Sequence, residues 1–166
     1  MAGSILGNRV LRKEDPKFLT TGGVYVDDLS SEPLLVGALH STFVRSTVAH
    51  ANIVSIDVAE ALESPGVVAV YTAQDLGLEP VAATFNPTAK RTLLATGKVR
   101  YVGEPLAVVI AISRYVAEDA LEIIEAEYET LDPVTSISQI LNPIGECSER
   151  VHELVGTNIG SHYHVS

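Results

Sequence analysis

Apolar positions recur along the chain in short runs whose spacing changes from segment to segment. The strongest is Leu106-Ala-Val-Val-Ile-Ala-Ile112, seven consecutive apolar residues, which reads as a strand buried on both faces. It is preceded by Val99-Arg-Tyr-Val102, a second predicted strand, with Gly103-Glu104-Pro105 as the turn between them. After it, Ser113 is placed to cap a helix running from about Arg114 to Ala126. In that helix Ala117, Ala120, Leu121 and Ile124 fall at i, i+3, i+4 and i+7, while Glu118, Asp119, Glu122 and Glu125 take the opposite face. Glu127 to Leu131 returns as a strand that Asp132-Pro133 stops, and Ser136 to Leu141 predicts a further short helix.

Upstream, Leu34, Leu35, Val36, Ala38, Leu39, Phe43 and Val44 predict one long β stretch between Glu32 and Ser46. A strand is expected over Ala51–Asp57, and a short helix from Val58 to Glu63, capped by Asp57 or Ser55 and ended by Pro65-Gly66. Val67 to Tyr71 is a β-branched strand, and Ala73 to Leu76 a single helical turn. From Gly77 to Gly97 the periodicity dissolves around Pro80, Pro87 and several threonines, which predicts an extended surface loop. The first thirty residues are polar and turn-rich, with Gly22-Gly23 before a short extended piece at Val24-Tyr25-Val26; they read as an arm. Interleaved strands and helices favour an α/β or α+β fold with a mixed sheet and two main helices.

Composition narrows the chemistry. The 166 residues are 46% hydrophobic and 19% charged, enough for a packed core. Eleven basic residues against 21 acidic ones give a net charge of -10, which disfavours nucleic acid and anionic lipid as partners. Cys147 is the single cysteine, so the chain forms no internal disulfide, four-thiolate zinc site or cysteine-ligated iron–sulfur cluster of its own. The start of the chain lacks the apolar core of a signal peptide and no run is long enough to span a bilayer, so a cytoplasmic location is expected.

Candidate sites are few. Neither a P-loop nor a dinucleotide fingerprint occurs. His162 and His164, two apart on an extended chain, would face the same way and could bind a metal with His152 or Glu153 as a third ligand; the simpler reading is a solvated tail. His40 and His50 lie on or beside strands, and Asp27, Asp28 and Glu104 near turns, but nothing fixes a catalytic geometry among them and no nucleophile elbow is present. Cys147 reads as a bystander. Glu104, between two strong strands, is read as a structural carboxylate accepting backbone N–H groups, with a cleft or interface role as the alternative.

In order along the chain, Arg12-Lys-Glu-Asp-Pro-Lys-Phe-Leu-Thr20, Tyr25-Val-Asp-Asp-Leu29, Phe43-Val-Arg-Ser46 with Ala49-His50-Ala51, Pro65-Gly-Val-Val-Ala-Val70, Val99-Arg-Tyr-Val-Gly-Glu-Pro105, Ala117-Glu-Asp-Ala120, Glu127-Tyr-Glu129 and Asp132-Pro-Val134 resemble the large, molybdenum-bearing subunit of the xanthine dehydrogenase, aldehyde oxidase and carbon monoxide dehydrogenase family. The resemblance covers nearly the whole chain. It departs at Thr21 and Gly22, and at Thr47-Val48 where relatives carry Pro-His, which alters two loops.

The resemblance implies the α/β hammerhead domain, with residues 1–30 as an N-terminal arm, 31–146 as the hammerhead and 147–166 as a linker toward a molybdopterin-binding domain. It implies no catalytic, cofactor-binding or metal-ligating residue in this chain, since the molybdopterin contacts and the catalytic glutamate belong to later domains of the large subunit. Molybdopterin, iron–sulfur clusters and FAD are implied for the complete complex. The implied partners are the molybdopterin-binding domains or subunit, an iron–sulfur subunit and, in most members of the family, a FAD subunit. The stop at Ser166 then points to an excised piece, a truncated reading frame or a split subunit. The rival reading is a free-standing small-molecule- or metal-binding protein that reuses the domain.

Overall fold

The structure, a computed structural model, describes residues 12–20, 22–23, 25–141 and 150–162. The chain divides into two compact units, Met1–Ala38 and Leu39–Ser166. In the first, α1 (Asp15–Thr20) is followed by 3-10 segments at Val26–Ser31 and Pro33–Leu35. Phe18, Leu19, Leu34 and Val36 are exposed and α1 buries nothing. Leu34 to Val36 are therefore not the start of a strand. Pro33, at the first position of its 3-10 segment, pre-sets a helical φ there. Of the extended piece expected at 24–26, Val24 lies outside the described residues; Tyr25 is extended and Val26 opens the first 3-10 segment.

The second unit contains β1 (His40–Arg45), β2 (Ala51–Asp57), α2 (Ala59–Glu63), β3 (Val67–Thr72), α3 (Ala73–Leu76), β4 (Val81–Ala83), β5 (Asn86–Arg91), β6 (Lys98–Val99), β7 (Pro105–Ala111), α4 (Arg114–Ile123), β8 (Glu125–Thr130) and α5 (Ile137–Leu141). Among the described residues three sheets form, ordered β1-β7-β3, β6-β2-β8 and β4-β5. The α/β class stands, but every pairing is antiparallel and the expected mixed sheet is absent from the described residues. The reason lies in the connections. The helix α2 joins β2 of one sheet to β3 of another, and α4 joins β7 back to β8, so neither helix closes a parallel βαβ unit.

The central strand is β7. Leu106, Ala107, Val109 and Ala111 are fully buried, whereas Ile112, expected to extend the strand, is 62% exposed just beyond it. The helix α4 begins where Ser113 Oγ accepts the amide of Val116, and seats Ala117 and Ala120 against the core. It stops three residues earlier than its periodicity suggests, because Glu125 and Ala126 pair with Asp57 and Ile56 of β2. One cluster of buried residues, including Ala51, Val99, Leu106, Val109, Ala117 and Ala120, spans both three-stranded sheets and α4. The loop expected from Gly77 to Gly97 instead contains the β4–β5 hairpin, with Asn86 Oδ1 accepting the Thr88 amide in an Asx turn.

Candidate functional site

The segment that follows β6 makes no further ladder. The Arg100 amide donates to Glu104 Oε2 at 2.5 Å, and this cuts the strand expected over Val99–Val102 to Lys98–Val99. Gly103 closes the turn at φ +90°, a backbone conformation that side chains rarely adopt. Its amide donates to Ser46 O at 2.8 Å, the Ser46 amide donates to Glu104 O at 2.9 Å, and Arg45 Nη1 donates to Gly103 O at 2.9 Å. These bonds fasten the turn to the end of β1.

Glu104 is only 4% exposed. Besides the Arg100 amide it faces the Arg100 guanidinium, with Nη1 3.9 Å from Oε1. Arg100 in turn reaches the chain fifty residues later: Nε donates to Val151 O at 3.0 Å, while Nη1 donates to Lys98 O at 3.1 Å. A buried carboxylate thus holds an arginine, and the arginine holds residues 150–160.

That segment is anchored along its length. Lys98 Nζ is 3.0 Å from Glu153 Oε1, the Val151 amide donates to Asn158 Oδ1 at 3.0 Å, and Asn86 Nδ2 donates to Gly160 O at 3.0 Å. Between this strap, the hairpin and the Arg100–Glu104 turn lies a cleft of about 790 Å³, lined by Phe85, Tyr101, Val134, Ile140, Val155 and Ile159 among others. A smaller recess of about 170 Å³ adjoins it and shares Arg91, Arg100 and His152 with it.

Burial, and secondarily the positive charge of Arg100, holds the His152 imidazole below its ordinary pKa of 6.5. The hydrogen bond and charge of Lys98 hold Glu153 below the usual carboxylate value of 4.5. Both depressed values stabilise the deprotonated, docked strap. The unfolded His152 therefore takes up a proton before the folded one does, and its contribution is complete above about pH 6.5 and declines as pH falls below that. Glu153 adds a loss in the same direction at lower pH, softened by its exposure to solvent. Backbone amides of residues 150–160 are expected to lose protection between about pH 7.5 and about pH 5.5 once intrinsic exchange is corrected for, and His152→Asn to flatten that dependence. Equal protection at both pH values in the parent chain would contradict the assignment.

The other residues singled out in the sequence do not converge. His50 is 3% exposed; its Nδ1 lies 3.1 Å from Asp132 O and its carbonyl accepts the Leu131 amide, so it ties the start of β2 to the end of β8. Its Nε2 has no partner among the described residues. His40 lies on β1 opposite Ala111, and Asp27 and Asp28 lie in a 3-10 segment of the first unit, where Asp28 Oδ2 accepts the Tyr25 amide. His162 is exposed, while Cys147 and His164 fall outside the described residues. Among the described residues no group of three or more His, Cys, Asp or Glu side chains could hold a metal ion, and no helix is long and apolar enough to cross a membrane. Glu104 accepts a backbone N–H, as the sequence reading had it, and also borders the cleft. The cleft itself left no sequence signal, because its walls come from four separated segments.

Residues 20–132 match the family described as aldehyde oxidase and xanthine dehydrogenase, a/b hammerhead domain. The chain belongs to that family. The hammerhead chain is 41% identical over 137 residues to the nicotine 6-hydroxylase large subunit of Paenarthrobacter nicotinovorans, a match covering 79% of this chain and 16% of the relative. It is 40% identical over 141 residues to the carbon monoxide dehydrogenase large chain of Afipia carboxidovorans, covering 83% and 17%. Among solved structures, quinoline 2-oxidoreductase from Pseudomonas putida 86 superposes with a TM-score of 0.69 at 42% identity, over 83% of this chain and 18% of that one. The hammerhead chain thus spans less than a fifth of the length of these relatives. The matched region contains the Arg100–Glu104 turn and the hairpin but not the strap, which lies beyond residue 132.

Proposed function

We propose that this chain is a non-catalytic packing and docking module of a molybdenum-dependent oxidoreductase of the carbon monoxide dehydrogenase, aldehyde oxidase or xanthine dehydrogenase type. The observation that carries the reading is the match of this chain to one domain, and less than a fifth of the length, of large subunits of that kind. In this reading residues 1–30 are an arm, 31–146 the hammerhead and 147–166 a link toward the molybdopterin-binding part. The complete complex carries molybdopterin, iron–sulfur clusters and FAD, and the chain's partners are the polypeptide regions or subunits that hold them, in the cytoplasm. The scatter of His40, His50 and Glu104, of which the side chains of His50 and Glu104 tie segments together, supports a scaffold more than a reaction centre.

Co-expression with the molybdopterin-bearing polypeptide tests this. The expected result is a stable complex that contains molybdenum and oxidises substrate, while the isolated 166 residues turn over neither aldehydes nor purines with an added electron acceptor. Turnover by the isolated chain would overturn the reading. So would a metal held tightly by the isolated chain and lost on replacing His162 and His164, which would favour a free-standing metal-binding protein.

A further inference from the structure

The cleft beside the strap carries exposed charge opposite in sign to the net charge of the chain. Within a chain of net charge -10, four of the eleven basic residues, Lys90, Arg91, Lys98 and Arg100, fall in one stretch of eleven positions; Arg91 and Arg100 line the cleft, Lys90 lines the adjoining recess, and Lys98 is buried nearby. Two of the four are committed: Lys98 to Glu153, and Arg100 to Glu104 and two backbone carbonyls. Lys90 and Arg91 are exposed at the end of β5, where their backbones pair with β4, and their side chains have no hydrogen-bond or ion-pair partner among the described residues. Arg91 stands beside apolar walls that include Phe85 and Val81, both largely exposed to solvent, and Lys90 lines the recess next to them. A neutral occupant would leave both charges unused, and a basic one would be repelled.

The shape of the floor says more. The β4–β5 hairpin is two strands only, and Val81, Ala82 and Ala83 of β4 line the cleft while pairing with nothing but β5 among the described residues. A short two-stranded ribbon is marginal by itself, and its free edge offers backbone donors and acceptors to an added strand. The volume of about 790 Å³ exceeds what one side chain fills.

Taking the chain as a docking module, we infer that this cleft receives an extended segment of the molybdopterin-bearing polypeptide, one that combines apolar side chains with carboxylates set against Arg91 at the cleft and Lys90 at the adjoining recess. The apolar side chains fill the space against Phe85 and Ile159, and the backbone runs beside β4. The carboxylates supply orientation and a salt-dependent association rate more than bulk affinity.

The test uses the full chain and the molybdopterin-bearing polypeptide, with affinity measured at low and high salt. The parent chain is expected to bind and to weaken as salt rises. A Lys90→Glu, Arg91→Glu double variant is expected to bind at least about tenfold more weakly at low salt, with much of the salt dependence gone, while its thermal midpoint stays that of the parent. Arg91→Lys, which keeps the charge, is expected to stay within about threefold of the parent. If the parent binds and the charge-reversed variant binds equally well, this inference fails and the docking reading stands. If the parent does not bind at all, the docking reading itself fails. Titration with sodium 1-naphthoate supplies the other arm: saturable binding at the cleft that leaves the complex undisturbed would make it a small-molecule carboxylate site and overturn the peptide assignment.

Discussion

Glu104→Ala is expected to destabilise the chain by about 3–5 kcal/mol, the cost of removing one partner from a buried charge pair. The argument rests on what is left behind. The Glu104 carboxylate is the acceptor for the Arg100 amide and the counter-charge for a guanidinium that is itself largely buried. With alanine in place, the amide has no ladder partner to fall back on, since β6 ends at Val99, and the guanidinium is left without its carboxylate. The loss spreads along the chain because Arg100 also carries Val151 through its Nε. For a domain of this size the loss corresponds to a fall in melting temperature of the order of 10 °C, and urea unfolding should show the same change in midpoint with little change in slope. Glu104→Gln should cost less, because an amide oxygen still accepts from the Arg100 N–H while only the charge is lost. A catalytic role for Glu104 predicts the reverse ranking of observables: stability unchanged in both variants, and activity of the assembled enzyme abolished by each. Hydrogen exchange adds a local check. Amides of residues 150–160 should open more readily in Glu104→Ala even under conditions where β7 remains protected.

Most of the hammerhead body was legible because its elements carry strong local patterns. Ala51–Asp57 and Ala73–Leu76 form where the periodicity places them, and Ser113 caps α4 through its side chain. The failures share a cause, which is competition from a long-range or side-chain partner that periodicity does not register. Val99 to Val102 looks like a strand, yet the Arg100 amide is claimed by a carboxylate four residues on. The helix after Ser113 yields three residues to pairing with β2. The hairpin between Gly77 and Gly97 was invisible because only Ala89 of β5 is buried, so no alternation of apolar and polar residues marks it. The antiparallel character of the sheets was equally hidden. A strand–helix–strand order reads the same whether the helix returns to its own sheet or crosses to another, and here both α2 and α4 cross. Glu104 could be singled out from sequence as a carboxylate between two strong strands, and His152 and Glu153 only as third ligands to a metal with His162 and His164. Arg91 could not, and the packing role of His152 could not, because their meaning depends on the strap lying beside the hairpin.

Leu106→Ala is the second large effect expected, a loss of about 2–5 kcal/mol in unfolding free energy. Leu106, Val99 and Val109 are the largest side chains that are fully buried among the described residues. Much of the remaining core is alanine: Ala51, Ala107, Ala111, Ala117 and Ala120 are all essentially inaccessible. Alanines have no rotamers with which to lean into a vacated volume, and Ala117 and Ala120 sit on a helix whose seat fixes their position. Collapse around the missing leucine would have to move α4 or a strand, so the cavity should persist and the cost fall toward the upper part of the range. Domains are stable by only about 5–15 kcal/mol in total, so one such change removes a large share. Phe43→Ser makes the contrast. Phe43 is larger than Leu106 but 42% exposed on β1, and its replacement should cost well under half as much. The two large effects also differ in kind. Leu106→Ala should lower protection of β1, β7 and α4 together, as a global loss, and leave the relative protection of the strap unchanged. Glu104→Ala should loosen the strap first. Equal, uniform losses in the two variants would show that the Arg100–Glu104 turn is simply part of the core, and that nothing holds residues 150–160 through it in particular.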